Sequence, residues 1–188
     1  MGKTKKLFVA AALMGSVAGG ATNSYAAAPH TPEDEVDESI YTADLLKVGE
    51  EAPNFVLANG DTHAGESLTD FRGKYVVIDF WASYCIDCRR DLPEFKEVHA
   101  AFASDEVVFI GVSFDRSEEA WRNYLKENEM TWIQHWETTP WKESPIASGY
   151  HLTWIPTIYV IDQEGKVAFT TIHAAELKEF LSGLQQKR

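Results

Sequence analysis

Cys85 and Cys88 are the only two cysteines in a chain of 188 residues. They stand three apart, in Trp81-Ala82-Ser83-Tyr84-Cys85-Ile86-Asp87-Cys88-Arg89-Arg90-Asp91-Leu92-Pro93. The apolar run Tyr75-Val76-Val77-Ile78-Asp79-Phe80 before them reads as a buried strand. After them Leu92, Phe95, Val98, His99 and Phe102 recur on one helical face. The pair therefore lies where a strand hands over to a helix. A thiol at a helix N-terminus meets unpaired N–H groups and the positive end of the dipole, which favour a thiolate. Cys85 is thus the expected attacking sulfur. Cys88, about one turn inside the helix, is placed to close a disulfide and to resolve a mixed one.

Other uses of two cysteines fit less well. A zinc site needs more ligands, and the chain has neither a second cysteine pair nor an H-x(3–5)-H spacing among its six histidines. A purely structural staple closing so short a loop restricts little of the unfolded chain. Dithiol–disulfide chemistry is the reading that uses both the spacing and the strand–helix junction.

The elements needed to hold such a site are present. The composition, 45% hydrophobic and 24% charged, suits one globular domain with a sizeable core. Residues 1–26 read as a secretory signal peptide: Lys3, Lys5 and Lys6, then an apolar stretch from Leu7 to Ala18, then Ser24-Tyr25-Ala26 as a cleavage site. The apolar stretch is short and glycine-rich for a membrane span, so no stable membrane anchor is expected after cleavage. Removing those three lysines takes the net charge from −12 to −15, which makes nucleic acid and anionic membranes poor partners. Residues 27–47, with Glu33, Asp34, Glu35, Asp37 and Glu38, read as an acidic flexible tether, and 48–188 as the folded domain.

Within that domain Phe55-Val56-Leu57 entering Asn59-Gly60-Asp61 suggests an N-terminal hairpin, and Ser67 to Phe71 a short helical turn. Pro93 is expected to kink the helix after the cysteines. Val107 to Ser113 is a second buried strand, followed by a helix that Asp115 or Ser117 can cap. Trp132 to Trp136 is a short strand, and Thr138 to Gly149 is less regular. Thr157 to Ile161 and Lys166 to Ile172 form a hairpin, and Leu177, Phe180, Leu181 and Leu184 line a closing helix. Alternating strands and helices followed by a hairpin predict an α/β fold, one mixed central sheet with helices on both faces.

Two segments carry a resemblance. Ile78 to Cys88 resembles the active-site segment of thioredoxin-fold proteins, and Trp154-Ile155-Pro156-Thr157-Ile158 to Asp162 resembles their cis-proline segment. With the leader, the N-terminal hairpin extension and a helical insertion, residues 48–188 resemble the exported TlpA/ResA-type thiol–disulfide oxidoreductases, a redoxin or AhpC/TSA-like group. The resemblance implies a thioredoxin-like fold, Cys85 as nucleophile and Cys88 as resolving thiol. It implies a cis Ile155–Pro156 bond facing the pair, with the Ile155 main chain binding an extended substrate. Asp79 matches a buried carboxylate beneath the cysteines, a proton acceptor for Cys88, and Asp91 matches an acid three positions after the second cysteine. Trp81, Tyr84 and Trp154 would form an apolar apron for a docking disulfide. No cofactor beyond the Cys85–Cys88 disulfide and no metal are implied. The implied partners are protein disulfides, apocytochrome c among the candidates, and a membrane thiol electron donor in the periplasm.

The chain also departs from the family. Tyr84 replaces the usual tryptophan, Ile86-Asp87 replaces Gly-Pro, and Val107 to Phe114 has no lysine to partner Asp79. Asp87 beside the nascent thiolate disfavours it, although Arg89 and Arg90 partly cancel that charge, which tilts the expectation toward a reductase. A peroxiredoxin would need a threonine three residues before its cysteine, where Ala82 stands. A metal carrier would need Cys85 and Cys88 joined by a histidine such as His151.

Overall fold

The computed structural model describes residues 37–58 and 63–186. The expected signal peptide, most of the tether and the Asn59-Gly60-Asp61 turn lie outside the described residues. A short helix α1 (Ser39–Thr42) is followed by a 3₁₀ turn (Leu68–Phe71), β1 (Tyr75–Trp81), α2 (Ile86–Phe102), β2 (Val107–Ser113) and α3 (Glu118–Glu127). Then come β3 (Ile133–Trp136), a second 3₁₀ turn (Trp141–Glu143), α4 (Pro145–Gly149), β4 (Thr157–Ile161), β5 (Val167–Thr171) and α5 (Ala174–Gln186).

The strands form one sheet in the order β3-β2-β1-β4-β5. β1 pairs parallel with β2, and β2 with β3, because α2 and α3 carry the chain back between them. β4 enters antiparallel to β1, and β5 returns beside β4 across the Asp162–Gly165 turn. In that turn Asp162 Oδ1 accepts the Glu164 and Lys166 N–H groups, and Gly165 takes φ 88°.

Alternation along β1 assigns the two faces. Val77 and Trp81 pack with Leu92, Phe95 and Val98 of α2, Trp121 of α3, and Leu177 and Leu181 of α5. Val76, Ile78 and Phe80 pack with Ile146 of α4, Tyr150, Phe55 and Leu57. β1 is buried on both sides, as its unbroken apolar run requires. α2 continues through Pro93. Pro93, which is exposed, has no amide to offer the Arg89 carbonyl one turn earlier.

Two expectations change. The boundary expected at residue 48 moves toward the N-terminus, because part of the expected tether belongs to the domain. Leu45 is 2% exposed and Leu46 is also buried in the core, and the Leu46 N–H donates to Tyr159 Oη at 3.1 Å. The acidic composition of 30–44 hid two leucines with a place to go. Among the described residues the hairpin is a short antiparallel pairing outside the sheet, with Val56 bridged to Ser67 and the Leu57 N–H donating to Glu66 O at 2.7 Å.

Candidate redox site

β1 ends at Trp81, and three residues later Cys85 becomes the N-cap of α2. Cys85 and Cys88 form a disulfide, with Cα atoms 5.3 Å apart. The Cys88 N–H donates to Cys85 Sγ at 3.1 Å, so the first sulfur sits on an unpaired amide of the helix start. That bond is the local source of thiolate stabilisation expected for Cys85. Cys88 is buried and Cys85 only half-buried, which leaves Cys85 the sulfur a partner can reach.

The loop between β1 and α2 is held by a residue that sequence reasoning took for a possible cap. Asp115 is buried, and its carboxylate accepts the Ser83 N–H at 3.1 Å and the Ser83 hydroxyl at 2.6 Å. Ser113 Oγ donates to its other oxygen at 2.8 Å. Ser117, not Asp115, caps α3, accepting the Ala120 N–H at 3.2 Å. Asp115 therefore fixes the segment that carries Tyr84 and Cys85. Its place just past the end of β2, beside the end of β1 in register, is the signal that was there to read.

The Ile155–Pro156 bond is cis. The Ile155 carbonyl oxygen lies 3.5 Å from Cys85 Sγ, so the loop before β4 faces the pair as the resemblance implied. Trp154 is half-buried against Tyr41, with ring centroids 4.5 Å apart, and its carbonyl accepts the Thr157 hydroxyl. Tyr84 is 51% exposed with the Arg116 guanidinium 5.2 Å from its ring, and Ile86 is 65% exposed. Trp81 does not join them at the surface. It is 2% exposed, because it shares a sheet face with Val77 under α2, and it packs on Tyr124. The apolar rim is Tyr84, Ile86, Trp154 and Tyr41. Trp81 is its floor.

Beneath Cys88 lies a cavity of about 10 Å³, room for about one water molecule, lined by Asp79, Trp81, Cys88, Asp91 and Pro156 among others. Asp79 is 7% exposed and its register neighbours are Gly111 on β2 and Ile158 on β4. Among the described residues no cation offsets it, and burial, with the Asp91 charge second, pushes its carboxyl up to about 8. Asp91 is half-buried, and burial raises it as well. The Ala174 N–H, at 3.0 and 3.1 Å from its two oxygens, and the charge of His173 pull it back. Asp91 thus faces the N-terminus of α5. Asp87 is half-exposed and ion-paired with the exposed Arg90 at 3.2 Å, while Arg89 lies 5.9 Å from the Tyr124 ring. So exposed a pair contributes little to stability. His151 turns its Nδ1 to the Asp44 carbonyl at 3.1 Å, and among the described residues no three potential ligands converge on a metal position.

A mixed sheet, a disulfide whose first cysteine caps a helix, and the carbonyl preceding a cis-proline against that sulfur define one class of protein. The chain belongs to the thioredoxin-like family, whose profile matches residues 73–167. The thiol-disulfide oxidoreductase ResA of Bacillus cereus is 30% identical over 142 residues, 76% of this chain and 79% of that protein. ResA of Bacillus subtilis is 29% identical over 134 residues, 69% of this chain and 72% of its own length. Among solved structures, the thioredoxin domain of a thiol-disulfide oxidoreductase from Bacteroides vulgatus matches with a TM-score of 0.67 at 29% identity, covering 74% of this chain and 98% of that domain. A thiol:disulfide interchange protein from Bacteroides sp. matches at 0.65 and 29%, over 73% of this chain and 90% of its own.

Proposed function

We infer that the protein is a thiol–disulfide oxidoreductase that reduces disulfides of exported proteins through Cys85 and Cys88. The observation that carries the reading is the Cys85 sulfur, capped by an α2 amide on one side and met by the Ile155 carbonyl on the other. In the reduced protein the Cys85 thiolate attacks a substrate disulfide. One S–S bond forms as the other breaks, and the first substrate sulfur leaves as a thiolate that water protonates. The Ile155 main chain and the Tyr84–Trp154 rim align the substrate segment against the sulfur. Cys88 then gives its proton to Asp91 and attacks Cys85. The second substrate thiolate leaves, and two electrons have passed from the dithiol to the substrate.

The two acids divide the proton work by environment. Asp79 holds its proton through neutral pH, whereas Asp91, tied to the Ala174 N–H, ionises first and serves as base. The Asp91 carboxylate beside Cys88 also disfavours a thiolate there, which stabilises the disulfide and makes the dithiol a stronger reductant. The peroxidase and metal-carrier alternatives have no comparable support.

The leader-like residues 1–26 place the protein in the periplasm in this reading, with residues 27–36 linking the cleavage site to the domain. A membrane thiol carrier would return the electrons, and apocytochrome c before haem attachment is one client class. The test is substitution of the resolving thiol. Cys88→Ala should accumulate partners as mixed disulfides on Cys85 that reductant releases. Recovery of no covalent adduct would overturn the scheme.

A further inference from the structure

The turn between β5 and α5 carries a histidine that the redox cycle leaves unused. His173 Nε2 meets Glu38 Oε2 at 2.7 Å, a contact 135 residues apart in the chain. His173 directly precedes Ala174, whose N–H holds the Asp91 carboxylate. The turn itself is fixed, because the His173 N–H donates to Thr171 Oγ1 at 3.0 Å and that hydroxyl donates to Glu176. The Glu38 end is fixed by its neighbours, with Tyr41 on Trp154, Asp44 on His151 and Leu45 in the core. Carboxylate, imidazole, amide and carboxylate thus run in sequence from the N-terminal segment to the cavity under Cys88.

We propose that His173, held by Glu38, is a positioning residue for the resolving step: its imidazolium keeps Asp91 ionised as the base for Cys88. This rests on the dithiol cycle proposed above. The charged groups around the imidazole are Glu38 from the N-terminal segment, Glu176 on α5 and Asp91 on α2. Those facing Asp91 are His173, Glu94 on its own helix and Asp79 on β1. His173 is the one cation in that set, and the Glu38 hydrogen bond, as the largest cause, raises its pKa. A cation on the last residue before α5 lowers the cost of ionising Asp91 in a half-buried site that otherwise holds only acids. Asp79, deeper and without a donor, then retains its proton, so one acid of the pair is a base and the other is not.

The test uses the full chain, with the Asp91 carboxyl followed by ¹³C NMR in the reduced protein and resolution of a mixed disulfide followed against pH. His173→Gln should move the Asp91 midpoint to higher pH. It should slow resolution about three- to tenfold below the wild-type Asp91 midpoint, with rates converging on wild type above both midpoints, where Asp91 is ionised in both. Glu38→Gln, on the surface, should act in the same direction with a smaller effect, and His173→Lys should restore the wild-type profile. An Asp91 midpoint unmoved by His173→Gln overturns the inference, as does a rate lowered equally at every pH and not rescued by lysine. The carboxyl titration needs no substrate, so it decides this point separately. A wild-type protein that resolves no mixed disulfide would instead overturn the dithiol reading.

Discussion

A carboxyl group in the middle of a buried strand costs stability once it ionises, and Asp79 is such a group. Its folded value near 8 lies above its unfolded value, so the folded state holds the proton more tightly. The resulting stabilisation is complete below the unfolded value near 4 and is lost as pH rises toward 8, by up to about 1.4 kcal/mol per pH unit. Asp79→Asn, which cannot ionise, should therefore leave stability at pH 4 nearly unchanged. At pH 8.5 it should raise it by roughly 3–5 kcal/mol, read from urea midpoints at the two pH values. A gain independent of pH would show that Asp79 does not ionise in that window. The position of Asp79 in an apolar run made its burial legible, and the lack of a lysine in Val107 to Phe114 foretold an unpaired acid. The contact of Asp91 with Ala174 was not legible, because it joins residues 83 apart through a helix start whose position depends on the whole sheet. Trp81 was misjudged for a related reason. Its aromatic type fits a docking rim, and only its parity along β1 with Val77 shows that it points inward.

At the scale of elements, the strands were readable from their unbroken apolar runs, and the helices from their period and caps. The support of the active-site loop was not, since Asp115 adjoins Ser117 and both are good caps. Asp115→Ala leaves the Ser83 N–H and the Ser113 hydroxyl without their acceptor in a buried place. It should cost about 2–3 kcal/mol of unfolding free energy and loosen the loop bearing Cys85. Slower attack by Cys85 with resolution by Cys88 preserved would be the kinetic signature, and full stability with wild-type attack would refute the assignment. Gly111 has a similar structural reason. A methyl group there would meet the Gln134 amide oxygen across the β2–β3 pair, well inside contact distance. Gly111→Ala should therefore cost about 1–3 kcal/mol, measured by urea unfolding, as the buried Gln134 side chain is displaced.

Across the molecule, the acidic N-terminal region illustrates how composition misleads about boundaries. Residues 27–47 look like a solvated tether, yet they include Leu45 and Leu46, which complete the core on the α4 face of the sheet. Leu45→Ala should destabilise the domain by about 2–5 kcal/mol, and an unchanged urea midpoint would return this segment to the status of a tether. The same segment brings Glu38 to His173 and Tyr41 to Trp154, so its attachment bears on the redox site as well as on stability. The charge balance, −12 for the whole chain, adds to the electrostatic resistance to forming thiolates, and the half-buried Asp91 carboxylate near Cys88 concentrates it where electrons are released. The reduction potential of the Cys85–Cys88 couple, measured by equilibration against a thiol redox buffer, tests that account most directly. A strongly reducing couple, near or below about −250 mV, is the expected result, and a value above about −180 mV would mark an oxidant or isomerase and contradict it.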